Sequence, residues 1–272
     1  MKKLSFLYLI LVLSVGGFTT CKKDNGVAPT LPPVESLTID FSNFSSLKKS
    51  GSFLPDLKGT NNSFWEFAAS VAIQWKSIIT TTLAVPVAAF KLAVDQDPAF
   101  LSNKTWQWSY SVSPADVTYK ARLTGQISSS DVLWTMYITA EGTGGFPEFI
   151  WFTGKSKVDG TSGQWIFNQS SAVPEAYLQI DWTKSGTSIG DVKYTYVKNN
   201  DSRKTSFIEY GLTTGARNAF YNIHYYDGTK FSDVNVEWNT TTLEGRVKCS
   251  DYLLGAWYCW NSNKINLDTC PS

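Results

Sequence analysis

Histidine is almost missing from this chain of 272 residues: His224 stands alone. A multi-histidine metal site is thereby excluded, and any Ser-His-Asp relay would have to run through that one side chain. Cysteine is scarce as well, four in all, and no C-x-x-C occurs, so neither a zinc ribbon nor a thioredoxin-like dithiol is encoded. Charged residues make up only 17% and nearly cancel, leaving a formal net charge of +1 without a basic patch or an acidic block. That balance argues against a nucleic-acid partner. No P-loop, dinucleotide fingerprint or EF-hand loop is found, so no cofactor and no metal are expected. The one catalytic-looking string, Gly186-Thr187-Ser188-Ile189-Gly190, lies between Trp182 and Val192 on expected strands, whereas a nucleophile elbow needs a strand-to-helix turn. Ser46-Leu47-Lys48-Lys49 fits S-x-x-K, but it sits in a polar linker without any companion motif.

What is present begins at the N-terminus. Lys2 and Lys3 precede an apolar run from Leu4 to Val15, then small residues, then Cys21. A dozen apolar residues cannot cross ~30 Å of hydrocarbon as a mature helix, so the run reads as a signal peptide. Phe18-Thr19-Thr20-Cys21 resembles the lipobox of bacterial lipoproteins, and Cys21-Lys22-Lys23-Asp24 is similar to the start of many lipoproteins of the Bacteroidetes. The resemblance implies cleavage before Cys21, acylation of its thiol, anchoring in the outer membrane and display at the cell surface. An ordinary cleaved secretory signal with a coincidental cysteine is the alternative. Residues 1–20 are thus expected to be signal peptide, 21–34 a lipidated cysteine with a flexible Pro-rich tether, and 35–272 a single β-rich domain. Cys249, Cys259 and Cys270 allow one disulfide and one leftover thiol; the expected pair is Cys259–Cys270, with buried unpaired thiols as the alternative.

The domain reads as α+β, mainly β. Ser36 to Phe44 alternates as a first strand would. From Ser63 to Val94 apolar residues recur at three- and four-residue steps, with Ser63 and Glu66 placed as a capping box and Pro86 expected to break the helix. From Lys104 onward a dozen short strands follow one another through Gly, Asn, Asp and Ser turns, an antiparallel meander. A curved sheet of ten or more strands, half-barrel or barrel-like, packed on a long Pro-broken helix is the expected architecture. In outline only, this is similar to the half-barrels of bacterial lipoprotein carriers and to the lipocalins, and fold does not imply function.

Within the meander, Ile180-Asp181-Trp182, Ile208-Glu209-Tyr210 and Val236-Glu237-Trp238 repeat with their acids 28 residues apart. Strand parity sends the apolar members to one face and the acids to the other. Asp181, Glu209 and Glu237 are the weak catalytic candidates. Alternate strands place them ~9.6 Å apart, beyond the ~5 Å of a retaining glycosidase pair and at the edge of the ~6.5–9.5 Å inverting range. A solvated acidic row is the plainer reading. The surplus of aromatics, 15% of the chain, is the other signal. Phe149 and Trp151 alternate with Ile150 and Phe152, and Tyr221 and Tyr225 with Phe220 and Tyr226, which suggests strands apolar on both faces. Trp106, Trp108, Tyr110, Trp151, Tyr221 and Tyr225 are therefore candidates to line an aromatic cup, since flat rings with polar edges suit acyl chains and sugars. The expectation is a non-enzymatic, lipid-anchored envelope protein binding an apolar or glycan ligand, or a partner protein, through that cup. A glycan-active hydrolase with a carboxylate pair and a structural component of an envelope assembly are the alternatives.

Overall fold

The computed structural model describes residues 26–45, 63–113, 116–186, 188–251 and 254–271; Cys21, the signal run and Ser46 to Lys49 lie outside them. Two 3-10 turns, Val34–Leu37 and Ser42–Phe44, precede one long helix, α1 (Phe64–Val94). Thirteen strands follow: β1 (Ala99–Ser102), β2 (Thr105–Val112), β3 (Val117–Ser128), β4 (Asp131–Gly142), β5 (Phe146–Lys157), β6 (Ser162–Asn168), β7 (Ala176–Ser185), β8 (Ser188–Tyr196), β9 (Phe207–Leu212), β10 (Ala219–Tyr226), β11 (Phe231–Trp238), β12 (Gly245–Cys249) and β13 (Trp257–Trp260). They form one antiparallel sheet in chain order, each strand paired with its sequence neighbours, and the sheet does not close.

Parity assigns the faces of this sheet. β10 alternates strictly, with Ala219, Tyr221, Ile223 and Tyr225 buried and Phe220, Asn222, His224 and Tyr226 half-buried on the other side. Ile180, Ile208 and Val236 are fully buried on the same inner face. The helix lies across that face and touches both margins of the sheet. Near its start Phe64 packs on Tyr258 of β13, and near its end the Ala89 carbonyl accepts a bond from the Tyr110 hydroxyl of β2. Those two helix positions are about 38 Å apart at 1.5 Å per residue. The strands they reach are eleven spacings apart, about 53 Å along the sheet. The sheet must therefore bow around the helix.

Pro86 does not break α1, which runs continuously through it. A proline removes one backbone bond, but here Leu83, Pro86, Ala89 and Phe90 are all buried, so packing holds both halves in one element. The stretch expected as a first strand is also different. Leu37, Phe41 and Phe44 are buried inside the concavity, where the first 3-10 turn meets β7 and β8, strands already paired on both sides, so the backbone bonds to itself in 3-10 turns. This N-terminal arm starts early. Pro29 and Pro32 are buried and Ala28 and Leu31 pack on the core, so the part of the expected tether from residue 28 onward belongs to the folded body.

Glycines opposite tryptophans make the inner face close-packed. Trp134 lies over Gly125, Trp165 over Gly154, Trp182 over Gly163 and Trp260 over Gly245, each pair directly across two strands. A Cβ on Gly154 would sit 2.1 Å from the Trp165 ring, so only glycine admits the flat ring there. The apolar pattern on both sides of β5 has its own explanation. Its register with β4 shifts twice: Phe152 faces Met136 and Phe149 faces Ile138, with Trp151 an extra residue between. The irregularity resets parity, so Phe149 and Phe152 are both opposite buried partners and the strand is not covered twice.

The C-terminal loop caps the helix. Ser63 accepts from the Glu66 amide at 3.2 Å and donates to the Lys264 carbonyl at 3.2 Å, while Asn266 Oδ1 accepts from the Phe64 amide at 2.7 Å. Lys264 Nζ also lies 3.8 Å from the Trp65 ring centre. A disulfide joins Cys259 to Cys270 and closes this loop, and Cys249 is buried on β12. Loop-closure entropy for about a dozen residues gives about 3 kcal/mol. Cys270→Ser is expected to lower the free energy of unfolding by that amount, read as a fall in the urea midpoint at unchanged slope, and, at ~2–4 °C per kcal/mol, to lower Tm by about 6–12 °C. An unchanged midpoint in Cys270→Ser would show that the loop holds without its bridge.

Candidate functional site

The cup expected from the aromatic surplus is filled. Trp106, Trp108 and Tyr221 are buried members of the core, and the Tyr221 hydroxyl donates to the Asp40 carbonyl of the arm. Tyr110 is held by its bond to Ala89, and burial pushes its phenol well above the usual range. Trp151 is half-buried in a ring cluster with Phe146 and Phe149. Phe90 of α1 inserts against Trp165 and Phe152, and Phe44 of the arm against Trp238 and Tyr221. These rings therefore line no open cup; helix and arm occupy the concavity. Among the six, Tyr225 borders a cavity at the flank of α1, and Tyr110 borders an open concavity of about 400 Å³ over β2 and β3 beside Arg122 and Glu148.

The acids do not converge. In register, Asp181 of β7 faces Lys193 of β8, which faces Glu209 of β9, so a lysine strand separates the first two carboxylates. Asp181 accepts from Gln164 and Gln179 at 2.6 and 2.7 Å, Glu209 from Asn222 at 3.1 Å, and Glu237 pairs with Arg246 at 2.6 Å. Each is satisfied by its own neighbour on the outer face. Among the described residues no cluster of three or more His, Cys, Asp or Glu could hold a metal ion. His224 stacks between Phe207 and Phe231, with Nδ1 2.7 Å from Asp233. The Gly186–Gly190 string falls at the β7–β8 hairpin, where Ser185 pairs with Ser188.

Among the described residues, concavities lie on two flanks of α1. The larger, about 450 Å³, runs between the arm and the helix; Leu37, Ile39 and Phe41 form one wall and Ile79, Leu83 and Val87 the other. Lys76, Thr80, Thr38 and Ser42 supply its polar rim. The smaller, about 90 Å³, lies between α1 and the ends of β7, β8 and β10. Beside it Arg203 grips Asp201 through Nε at 2.9 Å and Nη2 at 2.7 Å, and Tyr196 donates to the same carboxylate at 2.7 Å. The Arg203 fork holds the Asp201 carboxyl far below the ordinary range.

Sequence reasoning missed the larger groove because its walls come from segments some forty residues apart, one of them misread as a strand. The remaining trace is Lys76, a charge inside an apolar helix. No protein-family model, curated protein or solved structure matches the chain.

Proposed function

We propose that this protein is a lipid-anchored component of the cell envelope that holds an acyl chain in the groove between its N-terminal arm and α1, without chemistry of its own. The groove is the observation that carries the reading. Its volume of about 450 Å³ falls within the ~300–1,000 Å³ of small-molecule sites, and it has their character of apolar walls with few polar groups. Lys76 at the rim suits a carboxylate or phosphate head, a pairing that needs no full burial of charge. The arm also supports a membrane setting, because Gly26 follows Cys21 by five residues and Pro29 is already buried. At ~3.5 Å per residue, an acyl anchor on Cys21 would keep the groove's own arm within about 30 Å of the lipid surface.

Titration of the full chain with a fluorescent fatty acid tests this. Ala84 is exposed and lines the groove, so Ala84→Trp fills the space without disturbing the core. It is expected to weaken binding at least tenfold. Lys76→Glu is expected to weaken a fatty acid several-fold more than the matching alcohol. Binding that ignores Ala84→Trp overturns the assignment. A structural role in an envelope assembly is the second reading, favoured by the filled concavity, and it predicts no saturable binding of either probe.

A further inference from the structure

We infer a second ligand site on the opposite flank of α1, suited to a small neutral molecule with a ring-sized apolar body and one hydroxyl or carbonyl. At 100° per residue, Val71, Gln74, Trp75 and Ile78 face away from the groove residues Lys76, Thr80, Leu83 and Ala84. The inference is therefore independent of the groove and of the lipid anchor. Trp75, Tyr177, Tyr196 and Ile78 make the walls of the 90 Å³ cavity largely apolar.

Ser206 gives this cavity its chemistry. The residue is 5% exposed, it lines the cavity, and among the described residues its hydroxyl has no hydrogen-bond partner. Its backbone is fully engaged: the amide donates to the Arg203 carbonyl at 2.9 Å and the carbonyl accepts from the Tyr196 amide at 2.8 Å. A buried hydroxyl left unpaired costs about 1–3 kcal/mol, and a ligand group recovers that cost once rotation about the Ser206 Cα–Cβ bond turns the hydroxyl toward it. Gln74 adds a half-buried amide at the same cavity.

Charge and size narrow the class. Arg203 borders the cavity, but its guanidinium is committed to Asp201 and, at 3.1 Å, to the Tyr196 hydroxyl, so the pair presents no net charge to a guest. An ionised ligand would have to shed water against apolar walls without a free counter-charge. Water can meet Ser206 and Gln74, the minimum of two polar partners, but leaves the apolar walls unpaired, so an organic guest that displaces it gains their contact. At about 90 Å³ the cavity is smaller than the ~150 Å³ that takes benzene whole. Ile78, 36% exposed, stands at the mouth, so the far end of a guest can protrude there.

Phenol and benzene, titrated separately into the full chain and followed by tryptophan fluorescence and calorimetry, test the assignment. Phenol is expected to bind about tenfold tighter than benzene, the worth of one hydrogen bond to a buried donor or acceptor. Ser206→Ala, which removes an atom without partners, should bring that ratio close to one. Ile78→Trp, placed at the mouth, should abolish binding of both, while Ala84→Trp should leave both unchanged. The site is refuted if neither probe saturates, if the two bind equally to the unmodified protein, or if the preference survives in Ser206→Ala. Binding that persists in Ile78→Trp would refute it equally.

Discussion

Trp165→Ala is expected to be among the most damaging single substitutions in this protein, costing about 3–5 kcal/mol for the ring alone. Three parts of the structure meet at that side chain. Its ring packs on Phe90 of α1 at 5.6 Å and on Phe152 of β5 at 5.4 Å between centroids, and it covers Gly154. Its indole N–H donates to Ser36 of the arm at 3.1 Å, in a buried position. Alanine would leave a cavity between sheet and helix and would also strand the Ser36 hydroxyl, which adds about 1–3 kcal/mol. The total approaches the whole stability of an ordinary domain, about 5–15 kcal/mol. Urea unfolding should show the midpoint collapse, and Tm should fall by about 10 °C or more. Trp165→Phe keeps most of the packing, loses the bond and should cost about half as much. A loss below about 2 kcal/mol in Trp165→Ala would mean that helix, arm and sheet do not depend on a common residue.

The meander was readable in the sequence because most of its strands are half-buried and alternate. Leu178, Ile180 and Trp182 declare one face and Gln179 and Asp181 the other, and the buried set is the apolar one. The helix was readable for the corresponding reason: Phe67, Val71, Trp75 and Ile79 recur on one stripe and are buried, behind a capping box that is formed. Where periodicity misled, a local feature had reset it. Leu37, Ile39 and Phe41 alternate like a strand, yet the arm has no strand edge to join. Trp151 is an extra residue in β5, and one extra residue turns genuine alternation into an apparent run. Pro86 marked a break that burial on both sides overrides.

The sites were far less legible. Aromatic composition alone does not separate a ring that lines a cup from one covered by a helix, because both are apolar and on the same face. Trp106, Trp108 and Tyr221 have the composition and parity of lining residues, yet they lie in the core. The groove and the smaller cavity arise where α1 meets elements distant in the chain. Ser206 carries no mark in the sequence; only its burial and its orphan hydroxyl single it out.

The account stands on the assignment of a dry inner face and a wet acidic outer one, and a neighbouring pair on β9 measures it directly. Ile208 is fully buried between Tyr194 and Ile223, whereas Glu209 is half-exposed with one bond from Asn222. Equilibrium unfolding of Ile208→Glu at neutral pH should show a loss above about 4 kcal/mol, the consequence of an unpaired carboxylate placed in the core. Glu209→Gln should stay within about 1 kcal/mol of the unmodified protein. The reverse order, with Glu209→Gln crippling and Ile208→Glu mild, would place the acids inside, and both the filled concavity and the non-catalytic reading would fall with it.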